Sequence, residues 1–311
     1  MRLVQGSLLL WHWSGAPRSA TPCSMLVNKC ATTLGGERWL VPELPETETI
    51  ARDLDRELRG ARISGASVRR ADVLRGTTKR SLAARVTGAI VSTVWRRAKI
   101  VLLDLDSGDR IAVQPRFTGS LLIAAQPNDP YTAVSFPLAD GRTLTYRDVR
   151  RLGTVALLSP AEWAVAEAAL GPEPLDPTLD AARFLALLVR SRRPVKARMM
   201  DQRAIAGIGN IYATEALWRA GIDPSRPANA LSMSSAAALL RALRTILTAS
   251  IAARGTTFRD YRDAYGGRGR YAARLRAYGC AGKPCRRCGR VLTGTNAIDG
   301  RMTVFCGGCQ K

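Results

Sequence analysis

Five residues hold the densest potential chemistry in this sequence: Pro42-Glu43-Leu44-Pro45-Glu46. A proline with a free α-amine is a secondary amine. Its attack on an aldehyde-level sugar carbon must give a charged iminium, because the nitrogen has no second hydrogen to lose. Such a cation is an electron sink, which is the logic of amine-based covalent catalysis. An α-amine titrates at about 8, so a useful fraction is unprotonated at neutral pH. Glu43 and Glu46 place carboxylates beside it for proton transfer. One condition governs this chemistry: Pro42 must be a chain terminus, since inside the chain it is a tertiary amide without a nucleophilic lone pair. In that alternative Pro45 is only the first-turn proline of a helix, with Glu46 and Glu48 complementing the dipole.

Forty-one residues precede Pro42, and they do not resemble the rest. Met1-Arg2, Leu8-Leu9-Leu10 and the stretch 16–20 imitate a secretory signal, but the apolar run is short and soon meets His12, the only histidine. Initiation at Val41 gives a simpler reading. GUG is an alternative bacterial start codon, and methionine is readily removed ahead of proline, which frees Pro42. Residues 1–41 are therefore read as a mis-assigned or removed extension.

A second cluster lies at the other end. Cys285, Cys288, Cys306 and Cys309 form C-x2-C, seventeen residues, then C-x2-C. That spacing suits one tetrahedral zinc ion better than two disulfides. The interval 290–305 is long enough for a β-hairpin with Arg301 near its tip, which could lie along a groove and grip phosphate; a purely structural clip is the alternative. Between the two ends, Gly207-Ile208-Gly209-Asn210 leads into a helical stretch at 211–220. Glycines let a backbone approach phosphate, a helix start offers N–H donors to an anion, and Asn210 would cap it. An ordinary capped turn would look the same. Two turns at 222–227 precede the next helix, which fits a helix–two-turn–helix device. The segment 255–271 interleaves glycine, arginine and tyrosine, as a mobile loop that stacks on a base would, or as a plain solvated loop.

These residues need elements to position them. With 311 residues, 46% of them hydrophobic, the chain is long enough for two folded domains. Its 47 basic against 25 acidic residues leave +22, which points to a polyanionic partner. Nucleic acid is favoured over membrane, because no segment reads as long and apolar enough to span a bilayer. Residues 254–311 alone hold 13 Arg or Lys against 3 Asp or Glu. The apolar spacing predicts a helix over 44–58, closed by Gly60. Short β-type segments follow at 89–95, 99–105, 110–113, 120–125, 132–138, 142–146 and 153–158, the pattern of an antiparallel sandwich or barrel. Helices are expected at 160–170, 181–189, 211–220 and 233–253. Three prolines within 171–177 suggest a linker. The fold class is α+β, with an N-terminal domain at 42–170, a linker at 171–178, a helical domain at 179–279 and a cysteine finger at 280–311.

Together these motifs resemble the formamidopyrimidine-DNA glycosylase family, including its endonuclease VIII branch, over everything from Pro42 onward. The resemblance implies an N-terminal β-sandwich, a helical helix–two-turn–helix domain and a β-hairpin zinc finger with one structural Zn2+. It implies a monomer that works on double-stranded DNA carrying damaged bases in the bacterial cytoplasm, with no membrane role. By the same resemblance Pro42 is the nucleophile at the damaged nucleotide's C1′, Glu43 protonates the sugar ring oxygen and Glu46 supports the terminus. Lys99, within Arg97-Ala98-Lys99-Ile100, is an electrostatic partner and proton donor, Lys196 lines the lesion pocket, Asn210 joins the phosphate clamp, and Arg301 is the zinc-finger arginine. Phe117, Arg150 and Leu152 fill the gap left by the flipped base. Arg150 can donate to an orphaned cytosine, which favours oxidised guanine as the lesion. Phe117 and Leu152 depart from the usual residues there, and Ala133 replaces a histidine found in some members. Oxidised pyrimidines are the alternative substrate, and a zinc-ribbon DNA-binding protein without catalysis is the alternative if Pro42 is not a terminus.

Overall fold

The computed structural model describes residues 42–123 and 129–311. The extension expected at 1–41 and the end of the strand expected at 120–125 lie outside the described residues. The chain opens on helix α1 (Leu44–Leu58), whose first turn holds Pro45 and Glu46 and whose last turn holds Arg56, as the helix dipole favours. Gly60 follows with φ 81°, a left-handed conformation that ends the helix without a Cβ penalty. The strands are β1 (Ser67–Val68), β2 (Leu74–Arg75), β3 (Val91–Arg97), β4 (Ile100–Leu105), β5 (Arg110–Gln114), β6 (Gly119–Leu122), β7 (Thr132–Pro137), β8 (Thr143–Asp148) and β9 (Thr154–Leu158). They form two sheets, ordered β1-β7-β8-β6 and β2-β9-β5-β4-β3. All pairings are antiparallel except β2 with β9, a parallel contact two residues long. The expected sandwich is present. Helix α2 (Lys79–Val86), which the hydrophobic pattern did not reveal, starts at Thr78, whose side chain accepts from Ser81 N–H.

Beyond α3 (Pro160–Ala168) the chain becomes helical: α4 (Ala181–Leu188), α5 (Val195–Met199), α6 (Asn210–Ala220) and α7 (Met233–Ala252). By length and composition α7 could cross a bilayer, contrary to the sequence reading. It is instead the core helix of this domain: Leu239, Leu243, Ile246 and Leu247 pack in one cluster with Phe184, Ile211 and Leu217. The segment at 171–178 is no free tether. Glu173 accepts from Arg96, Arg97 and the Ala98 N–H, while Arg244 of α7 donates to the carbonyls of Pro174, Asp176 and Leu179. The segment 255–271 is likewise packed rather than loose. Tyr261 and Ala264 belong to the sandwich core, Ile123 N–H donates to the Ala264 carbonyl, and Arg254 bridges Asp53 of α1 to Asp263.

Helix α1 joins the two halves. Ile50, Leu54 and Leu58 enter the sandwich core, whereas Leu44 enters the helical-domain core. Its amino-terminal end is therefore fixed where both domains meet. The chain closes on the hairpin β10 (Thr293–Thr295) and β11 (Thr303–Phe305), with Thr293 opposite Phe305.

Candidate active site

Three peptide segments converge on Glu43. Its carboxylate accepts from Gly209 N–H at 2.8 Å and Ile211 N–H at 2.9 Å, so it caps α6 from 168 residues away. This corrects the capping role expected of Asn210. Asn210 is the first residue of α6, its Nδ2 donates to the Met302 carbonyl at 3.1 Å, and the capping carboxylate is that of Glu43. The glycine pair serves the same approach. A Cβ on Gly209 would lie 2.4 Å from Glu43 Cδ and 2.7 Å from Lys99 Nζ, and one on Gly207 would lie 2.9 Å from Leu44. Gly207 also accepts from Leu44 N–H at 3.0 Å.

The two turns that present α6 also differ from the sequence reading. They join α5 to α6 over 200–209, where Asp201 accepts from Ala204 N–H and Ile205 N–H and Gln202 Oε1 accepts from Gly207 N–H. The turns at 222–227 are at the far end of α6, tied to the cysteine module through Gln310 and the Ile222 carbonyl.

Lys99 is in the two-residue turn between β3 and β4, not in a strand, and is half-buried. Ala98 takes φ 54° there, and Glu173 holds its N–H at 2.8 Å. The site thus joins a helix start, a hairpin turn and a second helix start. Pro42 and Glu43 are both buried. Burial pushes the Glu43 carboxyl above the usual range, against the Lys99 charge and the N–H groups of Ile211, Gly209 and Tyr212. A carboxylic acid so placed keeps its proton closer to neutral pH, as proton delivery requires.

Glu46 is 2% exposed and faces the interior, so it makes no surface contact with a ligand in this conformation. It accepts from Glu43 N–H at 2.9 Å, Tyr212 O–H at 2.6 Å and Thr256 N–H at 2.7 Å. Burial first, and then the charge of Glu43, raise its pKa to about 7 despite those donors. Its part is to fix the turn that carries Glu43. Lys196 is also interior: its Nζ lies 2.9 Å from Asp299 Oδ2, with both side chains shielded.

The three expected gap-filling residues occupy neighbouring loops. Arg150 stacks its guanidinium over Phe117 at 5.4 Å, and Leu152 is exposed. Sequence reasoning missed what holds them. Asp148, buried at the end of β8, accepts from Thr118 Oγ1 at 2.5 Å, Tyr146 O–H at 3.0 Å and Gly153 N–H at 2.8 Å. Thr118 Oγ1 in turn accepts from Arg150 N–H at 3.0 Å. An aspartate inside an alternating strand, two residues from Arg150, was the available signal.

The four expected cysteines do converge. Their sulfurs all lie within 4.8 Å of one another, with Cys288 and Cys306 at 3.4 Å. Metal–sulfur bonds of about 2.3 Å in a tetrahedron set the corners roughly 3.8 Å apart, so the set fits one metal ion. Cys280 stands outside it. The module is docked on the end of α6, where Arg287 stacks on Trp218 at 4.8 Å and donates to the Trp218 and Arg219 carbonyls. Some of the basic residues of 254–311 are therefore structural, Arg254 and Arg287 among them. Arg301 is in the loop before β11, its N–H donating to Asp299 Oδ1 at 3.0 Å.

A single methyl group tests this convergence. Gly209 has φ −134°, so alanine brings no backbone strain, only the contacts with Glu43 and Lys99. Gly209→Ala is expected to lower strand incision by about a hundredfold through misplacement of those two groups. Its thermal midpoint should drop only modestly. Single-turnover incision alongside a melting curve checks both.

Comparisons with known proteins agree with this arrangement. Residues 41–155 match the formamidopyrimidine-DNA glycosylase N-terminal domain, and residues 170–262 match the formamidopyrimidine-DNA glycosylase H2TH domain. A formamidopyrimidine-DNA glycosylase of Chloroflexus aggregans is 41% identical over 272 residues, covering 87% of this chain and 98% of the relative. One from Moorella thermoacetica is 42% identical over 256 residues, covering 81% and 93%. Among solved structures, the MutM (Fpg) protein of Thermus thermophilus aligns with TM-score 0.78 at 36% identity, over 86% of this chain and 98% of that one. The Lactococcus lactis Fpg in complex with DNA containing an abasic site aligns with TM-score 0.80 at 30% identity, over 86% and 99%. With both halves matched, and relatives covered nearly end to end, the chain belongs to the formamidopyrimidine-DNA glycosylase family.

Proposed function

We propose that this base-excision repair glycosylase removes oxidised purines, chiefly oxidised guanine and formamidopyrimidines opposite cytosine, and then cuts the strand through a Pro42 iminium. The observation that carries the reading is the convergence of the α1 start, Lys99 and the α6 start on one carboxylate, Glu43. Supporting it, the family match begins at residue 41, one residue ahead of the proline.

Each chain group then has a task. The basic face receives duplex DNA, and Phe117, Arg150 and Leu152 fill the stack while the damaged nucleotide turns out at a cost of a few kcal/mol. The Pro42 amine attacks C1′, and the damaged base leaves with the bonding pair and takes up the proton that the attacking nitrogen sheds. Protonation of the ring oxygen by Glu43 opens the sugar and gives the iminium. That cation acidifies the C2′ hydrogens, so successive β and δ eliminations release the strand on both sides. Lys99, beside Glu43, offsets developing negative charge.

Zinc is the proposed occupant of Cys285, Cys288, Cys306 and Cys309. Four cysteine ligands leave a tetrahedral ion no open position, so its contribution is to hold the hairpin that carries Arg301 against phosphate.

Arg150 sets the lesion preference. Duplexes carrying oxidised guanine opposite cytosine are expected to be cut faster than duplexes carrying thymine glycol, in single-turnover assays with both. Faster cutting of thymine glycol would assign the chain to the pyrimidine-directed branch.

A further inference from the structure

A lysine and an aspartate whose side chains are nearly fully shielded face each other across 103 residues of sequence: Lys196 of α5, its side chain at 0% exposure, and Asp299 of the hairpin loop, its side chain at 2%. Buried ion pairs recover their desolvation cost poorly, so one in a hairpin loop whose Asn296, Ala297 and Gly300 are exposed asks for a function. Asp299 uses both of its oxygens. Oδ2 holds Lys196 at 2.9 Å, and Oδ1 accepts the Arg301 N–H at 3.0 Å. The Arg301 carbonyl accepts from Thr303 Oγ1 at 3.1 Å, so both peptide groups of Arg301 are fixed. A second anchor lies one residue on, where Asn210 Nδ2 holds the Met302 carbonyl.

We propose that Asp299 is the positioning residue that seats Arg301 over the site, with Lys196 as its socket in the helical domain. Lys196 then acts through the hairpin rather than on the damaged nucleotide itself. This departs from the lesion-pocket role that the resemblance assigns to Lys196, and it rests on the reading of Arg301 as a phosphate contact. The cysteine module supplies the rigid base of the hairpin, while the Lys196–Asp299 pair sets where its tip lands. Neither end suffices alone: a folded finger with an unlatched tip leaves Arg301 free to miss the backbone.

The test uses equilibrium binding to a duplex containing a non-cleavable abasic analogue, so it is independent of the Pro42 chemistry. Asp299→Asn keeps an acceptor for Arg301 N–H but leaves a buried ammonium unpaired. Lys196→Met leaves a buried carboxylate unpaired. Each is expected to weaken Kd about tenfold and to lower the slope of log Kd against log salt by about one, the signature of one lost phosphate contact. Arg301→Ala should give the same slope, and Asp299→Asn added to it should change Kd by less than about threefold, as expected for residues acting on one contact. The decisive variant is Lys196→Met/Asp299→Asn, which removes both charges and keeps the Arg301 acceptor. It should bind within about threefold of Lys196→Met, since both substitutions break the same latch and act on one contact. A double variant whose loss approaches the product of the two single losses would mean that Lys196 touches DNA itself and would overturn the proposal. So would a salt slope unchanged in Asp299→Asn. Melting curves of all the variants exclude unfolding as the source. Failure of the glycosylase reading would show separately, as intact wild-type binding without covalent trapping on abasic DNA.

Discussion

Glu43→Gln is expected to slow excision of a damaged base by about 10²–10⁴-fold, the span that one positioned general acid contributes. The side chain is nearly isosteric, yet it has no proton to deliver. Cutting at a preformed abasic site should fall far less, because an abasic sugar opens to its aldehyde without the Glu43 proton. The pH profile separates the acid role from mere packing. The Glu43 carboxyl is held above its usual range by burial, so its protonated form persists upward in pH and is lost as pH passes the raised value. Wild-type excision should therefore decline along an alkaline limb, and Glu43→Gln should lack that limb. Stability shifts in two directions at once. The amide gives α6 a weaker cap, a cost of about 1 kcal/mol, but it also removes a buried charge. Denaturant unfolding should consequently differ little from the wild type, and a large loss of stability would mean that the activity data report unfolding instead.

The largest loss is expected from a single residue left ahead of Pro42. A chain that begins at Val41 has the same fold and the same basic face, but the nitrogen of Pro42 is then an amide. Excision and strand cutting should both fall by at least about 10³-fold, as loss of a positioned nucleophile entails. Binding of damaged duplex should stay within a few-fold of the wild type. Pro42→Gly provides the control: a terminal glycine is a primary amine that can still form an imine, so it should retain more cutting than the Val41 form. Parallel single-turnover assays of the three proteins check the order.

Much of this was readable in the sequence because it depends on local pattern. Alternation marked β3 to β9, the spacing of Leu44, Ile50, Leu54 and Leu58 marked α1, and the two C-x2-C pairs marked the cysteine cluster. What escaped notice depends on partners distant in sequence, or on elements too short to show a period. Helix α2 buries only Leu82 and Val86, although Thr78 was a readable cap. The five residues of α5 span little more than one turn, which hid the pair of turns leading to α6. Nothing near Gly209 says that its helix is capped by a glutamate from the start of the chain, so an asparagine cap was the natural expectation. The glycines drew notice for close approach to a phosphate; within the chain they allow close approach to Glu43, Lys99 and Leu44. The proline-rich stretch at 171–177 read as a linker because proline breaks helices; Glu173 and Arg244 then tie it down from outside. The Lys196–Asp299 pair is invisible to any local pattern for the same reason.

The central claim is that a secondary amine at Pro42 forms the covalent bond to DNA. Borohydride reduction during turnover traps that bond, and peptide mass mapping of the adduct locates it. The account predicts a cross-link on the nitrogen of Pro42, in protein whose first residue is Pro42, and none in protein that still carries residues 1–41. A cross-link on Lys99 or another lysine, or equal trapping with the 311-residue chain intact, would contradict it.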